Sequence, residues 1–385
     1  MSRKSIQWMS AVMVAGLALT AACSSDDNTD TTGTTAAGGS DSSATTAGGG
    51  ETTDTTAGDT GGGSDIDFAS LEGEITGSGS SFQDGFEQAA IEAFLEQATG
   101  ANVTYNAVGS GQGKQEFGQG LTDFAGTDSL VKADGSDGVE EGSFLYVPIT
   151  AAPITVSYNL DGVDELNLSA ATLANIFDTD ITNWNDPAIA ADNPDATLPD
   201  QAITVVHRSD GSGTTSRFTS FLELAAADDW TLGHGDTVAW DASTQAGEKN
   251  TGVAQLITST AGAIGYVDLS DADAAGLVYA NIQNSAGNFE APTLEGASAA
   301  LDGVEVPDDL SINTINAEGD DTYPITAPTF VLVRTSYDDA AVAALVKAYV
   351  TFLLTDAQDL AEENGYAPLP DALDAAALAQ LDAIG

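Results

Sequence analysis

Apolar residues recur along this chain in two alternating periods, and the order in which the periods alternate repeats. Ile203-Thr-Val-Val206 is a short apolar run suited to a buried strand, while Phe218, Phe221, Leu222 and Ala225, spaced i, i+3, i+4, i+7, mark one face of a helix. Between them lies His207-Arg208-Ser-Asp210-Gly-Ser212-Gly213-Thr214-Thr215, a Gly/Ser turn carrying one arginine. The same strand, turn, helix unit is expected twice upstream. Its first copy is Glu74-Ile-Thr-Gly-Ser-Gly-Ser-Ser81-Phe82, leading into a helix on which Phe82, Phe86, Ala89, Ala93 and Phe94 share a face. Its second is Val103-Thr-Tyr-Asn-Ala-Val108 with Gly109-Ser110-Gly-Gln-Gly113 and a short helical stretch from Lys114 to Phe117. A short strand over Asp123-Phe-Ala-Gly-Thr-Asp128 ends on an acid. In open parallel sheets the turns at strand carboxyl ends gather around one crevice, so these four segments are expected on one rim.

Two longer extended stretches complete the pattern. Val147 to Asn159 contains Pro148 and Pro153, which suit an edge or a crossover better than a central strand. Tyr323-Pro-Ile-Thr with Phe330-Val-Leu-Val333 forms the second, and Ala263-Ile-Gly-Tyr-Val267 is a further strand between them. Val342, Leu345, Val346, Tyr349, Phe352 and Leu353 then read as an amphipathic helix. Two extended crossings far apart in sequence are what a two-lobed α/β protein shows when the chain passes twice between its lobes. The expected division is 66–148 and 321–385 for one lobe and 149–320 for the other.

The first 65 residues have another character. Arg3 and Lys4 precede an apolar stretch from Met9 to Leu19, followed by Thr20-Ala-Ala-Cys23, which reads as a signal peptide over 1–22 ending at a lipidated Cys23. Cys23 is the sole cysteine, so intramolecular disulfides are excluded. Ser24 to Asp65 contains no Leu, Ile, Val, aromatic, Lys or Arg and cannot offset the entropy of ordering. Segment 23–65 is therefore expected to be a flexible tether, spanning roughly 35 Å r.m.s. as a coil.

Charge narrows the partners. Lys and Arg total 9 against 59 Asp and Glu, for a net charge of −50. Past the leader the cations are only Lys114, Lys132, Arg208, Arg217, Lys249, Arg334 and Lys347. That balance excludes nucleic acid and anionic lipid surfaces, which are held by arrays of Lys and Arg. It also suits a salty or exposed environment, where screening relieves the repulsion between carboxylates. Against this background, a scarce arginine placed beside a Gly/Ser nest reads as a site for a small tetrahedral anion. A helix N-terminus presents unpaired N–H groups, Arg208 adds a planar fork, and Ser212 and Thr214 add hydroxyls. Asp210 is expected to orient Arg208. A nucleotide-binding loop would need a Lys after Gly213, where Thr214 stands. A serine hydrolase would use Ser212 with His207 or His234, without the strand-to-helix elbow pattern that such a serine requires. No metal cluster and no cofactor are expected.

From about residue 72 to 370 the chain resembles the solute-binding lipoprotein of the high-affinity phosphate ABC transporter. The likeness rests on Gly77-Ser-Gly-Ser-Ser-Phe82, Gly109-Ser-Gly-Gln-Gly113, Phe124-Ala-Gly-Thr-Asp128, Ile176-Phe177 with Trp184-Asn-Asp-Pro187, His207 to Thr215, and Gly262-Ala-Ile-Gly-Tyr266. The resemblance implies a type II periplasmic-binding-protein fold, two α/β lobes closing on a buried phosphate. It implies contacts from Ser81, the Phe82 backbone N–H, Ser110, Asp128, Arg208, Ser212, Gly213 and Thr214, with Asp210 paired to the arginine. Gln83-Asp84 replaces the family's proline-containing continuation after the first turn. Asp128 would accept a hydrogen bond from P–OH and repel sulfate, which has no proton to give. The implied protein is not an enzyme: it is a monomeric receptor on the extracytoplasmic face, attached to the membrane through lipid alone. Its partners would be phosphate, or protonated arsenate, and the permease and ATPase subunits of an importer. A secreted phosphoesterase is the alternative from another class.

Overall fold

The structure, a computed structural model, describes residues 66–385. The expected leader, Cys23 and the tether lie outside the described residues. In chain order the strands and helices begin with β1 (Glu72–Gly79), α1 (Asp84–Gln97), β2 (Gly100–Ala107), α2 (Ser110–Gly118), β3 (Phe124–Thr127) and β4 (Phe144–Tyr158). There follow β5 (Asn167–Leu168), α3 (Ala170–Phe177), α4 (Pro187–Asp192), β6 (Thr204–Arg208), α5 (Gly213–Ala225), β7 (Gln245–Gly247), α6 (Lys249–Ser259), β8 (Ala263–Asp268) and α7 (Leu269–Ala274). The last are β9 (Val278–Tyr279), β10 (Asn281–Gln283), β11 (Phe289–Glu290), α8 (Leu294–Asp302), β12 (Thr326–Arg334), α9 (Ala340–Leu354) and α10 (Asp371–Gln380).

One sheet runs in the order β2-β1-β3-β12-β4-β8-β6-β7. Its two ends are parallel trios, β2-β1-β3 and β8-β6-β7, joined by the antiparallel pair β12 and β4. A parallel strand covered on both faces reads as an apolar run without alternation. Val205 and Val206 in β6 and all of β8 follow that rule and are buried. β4 divides the sheet. It pairs with β12 from Phe144 to Pro153 and with β8 from Ile154 to Tyr158, so one strand belongs to both halves. The expected domain boundary at 148/149 falls inside it, and that at 320/321 falls shortly before β12.

The prolines of β4 do not mark an edge. Pro148 and Pro153 lie opposite Phe330 and Thr326 in a central strand, and the register slips between Thr329 and Phe330. A proline costs a ladder bond, and the strand absorbs the loss where the ladder is irregular or changing partner.

The buried helical faces depart in part from the apolar periodicity. On α1 the buried residues are Phe86, Glu87, Ala90, Ile91 and Phe94, so the apolar face is displaced from Ala89 and Ala93 toward a buried glutamate. Glu87 accepts from Gln83 Nε2 at 2.9 Å and from the Tyr349 hydroxyl at 2.6 Å. Burial pushes its carboxyl up to about 7, the Tyr349 and Gln83 hydrogen bonds pulling the other way. α9 packs on this face through Tyr349 and Phe352, whose rings lie 5.3 and 5.4 Å from that of Phe94. On α5 the stripe of Phe218, Phe221 and Leu222 is buried, and Ala226 rather than Ala225 completes it.

Candidate functional site

The carboxyl ends of β1, β2, β3 and β6 deliver four turns to one buried point. β3 ends at Thr127, and the next residue, Asp128, is fully buried. Its Oδ2 accepts from Ser80 Oγ at 2.7 Å and, at 3.4 Å, from Ser110 Oγ at the start of α2; its Oδ1 accepts from Thr329 Oγ1 of β12 at 2.7 Å. Burial raises the carboxyl to about 6, against the lowering influence of the Ser80 and Thr329 hydroxyls and of Arg217 and Arg208. A buried carboxylate retains acceptor capacity beyond these hydroxyls, since two oxygens offer about four lone-pair sites.

β6 supplies Arg208, also buried. Asp210 grips it side-on, accepting from Nε at 2.9 Å and from Nη2 at 2.5 Å. Burial favours the neutral form of Asp210, but hydrogen bonding to Arg208 and its charge outweigh that, and the net shift is downward. Nη1 donates to Asn250 Oδ1 at 2.7 Å and approaches Thr214 Oγ1 at 3.5 Å. Asn250 is fixed in turn by the buried Asp268, to which its Nδ2 donates at 2.5 Å. A guanidinium has five N–H groups, so one on each terminal nitrogen remains for an anion, apart from the long approach to Thr214.

The Gly/Ser turn closes the point from the second half of the sheet. Ser212 caps α5, accepting from the Thr215 N–H at 3.1 Å, and its own N–H donates to the Asp236 carbonyl at 2.9 Å. Gly213 opens the helix against Asp128: a Cβ built there would stand 2.6 Å from both Asp128 Oδ2 and Ser110 Oγ. The Gly111 N–H donates to the Gly211 carbonyl at 3.0 Å, so the turn of the second unit and that of the third are in direct contact. This leads to a prediction. Gly213→Ala should lower affinity for the anion by at least about a hundredfold with little change in melting temperature, because the added methyl makes its nearest contacts where the two halves meet. Titration alongside a thermal melt tests this, and unchanged affinity would mean that the halves need not approach as closely as they do here.

The first unit contributes differently from expectation. The Phe82 N–H is not free: it donates to Ser80 Oγ at 3.0 Å, and that hydroxyl passes its own hydrogen to Asp128. Ser81 Oγ is buried with no partner, and Ser81 lines a cleft of about 580 Å³ shared with Lys249, Ser270 and Asp271. The structure thus brings Ser110, Asp128, Arg208, Gly213 and Thr214 together with Asp210 behind the arginine. Ser81 stands at the cleft with an unpaired hydroxyl, and Ser212 is engaged in capping.

Three residues that the sequence did not single out belong to the same network, Ser80, Thr329 and Asn250, and Arg217 joins them. Arg208 is also not the sole cation, because the buried Arg217 donates through Nε to the backbone carbonyl of Asp128. A sequence signal existed for Arg217 alone, as a scarce base nine positions beyond Arg208. The histidines are occupied elsewhere. His207 stacks on Trp240 at 4.8 Å, with Nδ1 against the Arg208 carbonyl and Nε2 3.0 Å from Thr244 Oγ1; burial lowers its pKa. His234 meets Glu223 at the surface.

Comparison with known proteins decides the family. Residues 39–357 match the PBP superfamily domain. Phosphate-binding protein PstS 3 of Mycobacterium tuberculosis is 35% identical over 328 residues, which is 81% of this chain and 88% of that one. Phosphate-binding protein PstS of Pasteurella multocida is 35% identical over 303 residues, or 77% and 86%. The chain belongs to the PstS family of phosphate-binding proteins.

Solved structures agree on the fold of this PstS-family chain. A high-affinity periplasmic phosphate-binding protein solved with phosphate superposes with a TM-score of 0.66 at 24% identity, covering 80% of this chain and 94% of that one. A phosphate-bound ABC transporter substrate-binding protein from Clostridium perfringens superposes at 0.57 and 17% identity, covering 77% and 100%. The architecture is the type II periplasmic-binding-protein fold, as the resemblance implied, with β4 and β12 as its two crossings.

Proposed function

We propose that this chain captures inorganic phosphate outside the cytoplasmic membrane and delivers it to an ABC permease driven by cytoplasmic ATPase subunits. The observation that carries the reading is a fully buried carboxylate, Asp128, packed against Gly213 at the N-terminus of α5 beside the Arg208 fork. That pairing suits an anion that still owns a proton. Phosphate oxygens would take the N–H groups left on Arg208, the amides at the start of α5 and the hydroxyls of Ser81, Ser110 and Thr214, while P–OH donates to Asp128. The Phe82 N–H would join once the anion draws Ser80 Oγ away from it. Sulfate would face the carboxylate with no proton between them. An unpaired buried anionic contact costs several kcal/mol, and about 1.4 kcal/mol is tenfold, so thousandfold exclusion is available from one acid.

In this reading 66–148 with 321–385 forms one lobe and 149–320 the other, closing over the anion about β4 and β12. The function is binding rather than catalysis, and both histidines have structural partners away from Ser212. Equilibrium dialysis of phosphate-stripped protein against labelled phosphate, with a generic phosphate ester assayed in parallel, tests the reading. Retained phosphate without ester turnover is expected. Steady release of phosphate from the ester would instead support a secreted phosphoesterase, and equal retention of arsenate would widen the ligand class to protonated tetrahedral oxyanions.

No helix among the described residues is long and apolar enough to cross a membrane. Membrane attachment is assigned to lipid on Cys23 from the leader and the Thr20-Ala-Ala-Cys23 stretch, with 24–65 as a tether that lets a monomeric receptor reach its permease. Cys23→Ser is expected to leave the leader uncleaved or to move the protein out of the membrane fraction, with phosphate affinity unchanged. Mass spectrometry of the mature N-terminus decides the point, and an unmodified Cys23 would exclude the anchor.

A further inference from the structure

Arg217 is a buried cation in an unusual setting. It lies on α5 nine residues after Arg208, with its side chain in the interior. Among the described residues every ion pair belongs to Lys114, Arg208, His234 or Lys347, and no carboxylate stands within ion-pair distance of Arg217. Its Nε donates to the Asp128 backbone carbonyl, its Nη1 reaches Asn313 Oδ1 at 3.5 Å, and its Nη2 is buried without a partner. The guanidinium carbon is 6.0 Å from the centroid of Phe330, whose chain neighbour Thr329 donates to Asp128 Oδ1. A helix in one half of the sheet thus holds both strands of the other half that position the carboxylate.

A lone guanidinium in the interior is costly unless a charge of opposite sign is close enough to compensate it. Asp128 is that charge. Burial lowers the pKa of Arg217 to about 10, with Asp128 foremost among the groups opposing the shift, and it stays protonated at neutral pH. We propose that Arg217 is a positioning and specificity-determining residue: it keeps the buried Asp128 ionised in the closed protein, so that the site accepts a protonated oxyanion and rejects an unprotonated one. The proposal rests on the phosphate-binding reading and assigns a role within that site.

The surroundings leave Arg217 as the variable element. Facing Asp128 are Ser80 after β1, Tyr105 of β2, Ser110 of α2, Arg208 of β6, Arg217 of α5 and Thr329 of β12. Tyr105 is pushed well above its ordinary range by burial and stays neutral. Arg208 is committed to Asp210. Arg217 itself faces Tyr146, raised by burial to about 12, and Asp236, which pairs with Lys114 at 2.9 Å. Glu87 reaches Asp128 through Gln83 and Thr329, whose hydroxyl lies 2.6 Å from Gln83 Oε1. Its titration is common to all the proteins compared below.

The test uses Arg217→Gln, which retains an N–H donor for the Asp128 carbonyl and removes the charge, and Arg217→Lys, which retains the charge. Inorganic phosphate and sulfate are titrated calorimetrically into each stripped protein from about pH 5 to 8.5. The parent should admit sulfate only as pH falls and Asp128 takes a proton. In Arg217→Gln the pH midpoint for sulfate admission should rise by at least about one unit, since loss of a nearby opposite charge moves a carboxyl by that order. Phosphate-over-sulfate selectivity at pH 7 should fall at least about tenfold, and Arg217→Lys should restore most of the midpoint. An unmoved midpoint with both ligands weakened by a common factor would overturn the proposal and leave Arg217 a clamp between the halves. An Arg217→Gln chain that does not fold while Arg217→Lys does would also overturn it, placing the need for charge in folding. A parent that binds no phosphate at any pH would instead defeat the phosphate-binding reading itself.

Discussion

Arg208→Ala is expected to lose two or more decades of phosphate affinity. Charge-assisted hydrogen bonds are each worth about 1.5 to 3 kcal/mol, and two N–H groups on the terminal nitrogens are open to the anion. The loss would not stop there. Removing the guanidinium strips Asp210 of both side-on bonds, leaving the Lys249 N–H at 3.1 Å, and frees Asn250 Oδ1 of its 2.7 Å donor. An uncompensated carboxylate would then stand in an anion site. It would also raise Asp128 further, because Arg208 is one of the charges holding that group down. Arg208→Lys should recover only part of the affinity, since a point charge cannot serve Asp210, Asn250 and a ligand in one plane. Calorimetry on the three proteins checks the series. An alanine variant within about threefold of the parent would put the site elsewhere.

Asp128→Asn should change selectivity far more than affinity. The amide nearly preserves shape, its oxygen still accepts from P–OH, and the hydroxyl that faces its nitrogen, Ser80 Oγ or Thr329 Oγ1, can turn to accept from one of the two new N–H groups. Loss of one buried negative charge offsets part of what a weaker acceptor costs phosphate. Sulfate gains much more, because the carboxylate that repelled it is gone and an N–H can face it. Phosphate-over-sulfate selectivity is expected to fall at least about a hundredfold, near 2.7 kcal/mol. Competition titrations with sulfate on parent and variant measure that ratio, and an unchanged ratio would show that discrimination resides in other groups.

The sequence carried the scaffold of the site because the scaffold is local. Val205 and Val206, the Ser212 cap and the Phe218, Phe221, Leu222 stripe lie within one continuous segment, so periodicity and capping chemistry suffice to read it. The arrival of Asp128 was legible for the same reason, as the residue after a four-residue apolar strand. What escaped was long-range and polar. Thr329 reaches Asp128 across 201 positions, and nothing in the run Tyr323 to Val333 distinguishes that threonine from its neighbours. Glu87 and Gln83 are buried because Tyr349 and Thr329 satisfy them, whereas a hydrophobic pattern scores both as surface and points instead to Ala89 and Ala93. The β4 prolines fit the crossing that β4 makes but gave no sign of its central place in the sheet, through the same limit. Their penalty depends on which ladder bonds the neighbours would have made, and those neighbours, β12 and β8, come from far along the chain.

The central claim is that one buried site holds inorganic phosphate and uses Asp128 to exclude sulfate. Calorimetric titration of the phosphate-stripped parent chain near pH 7.5, with phosphate and then with sulfate, tests it most directly. The account predicts stoichiometric phosphate binding at one site and sulfate binding at least about a thousandfold weaker. Equal affinities for the two anions, or no heat from phosphate, would contradict it.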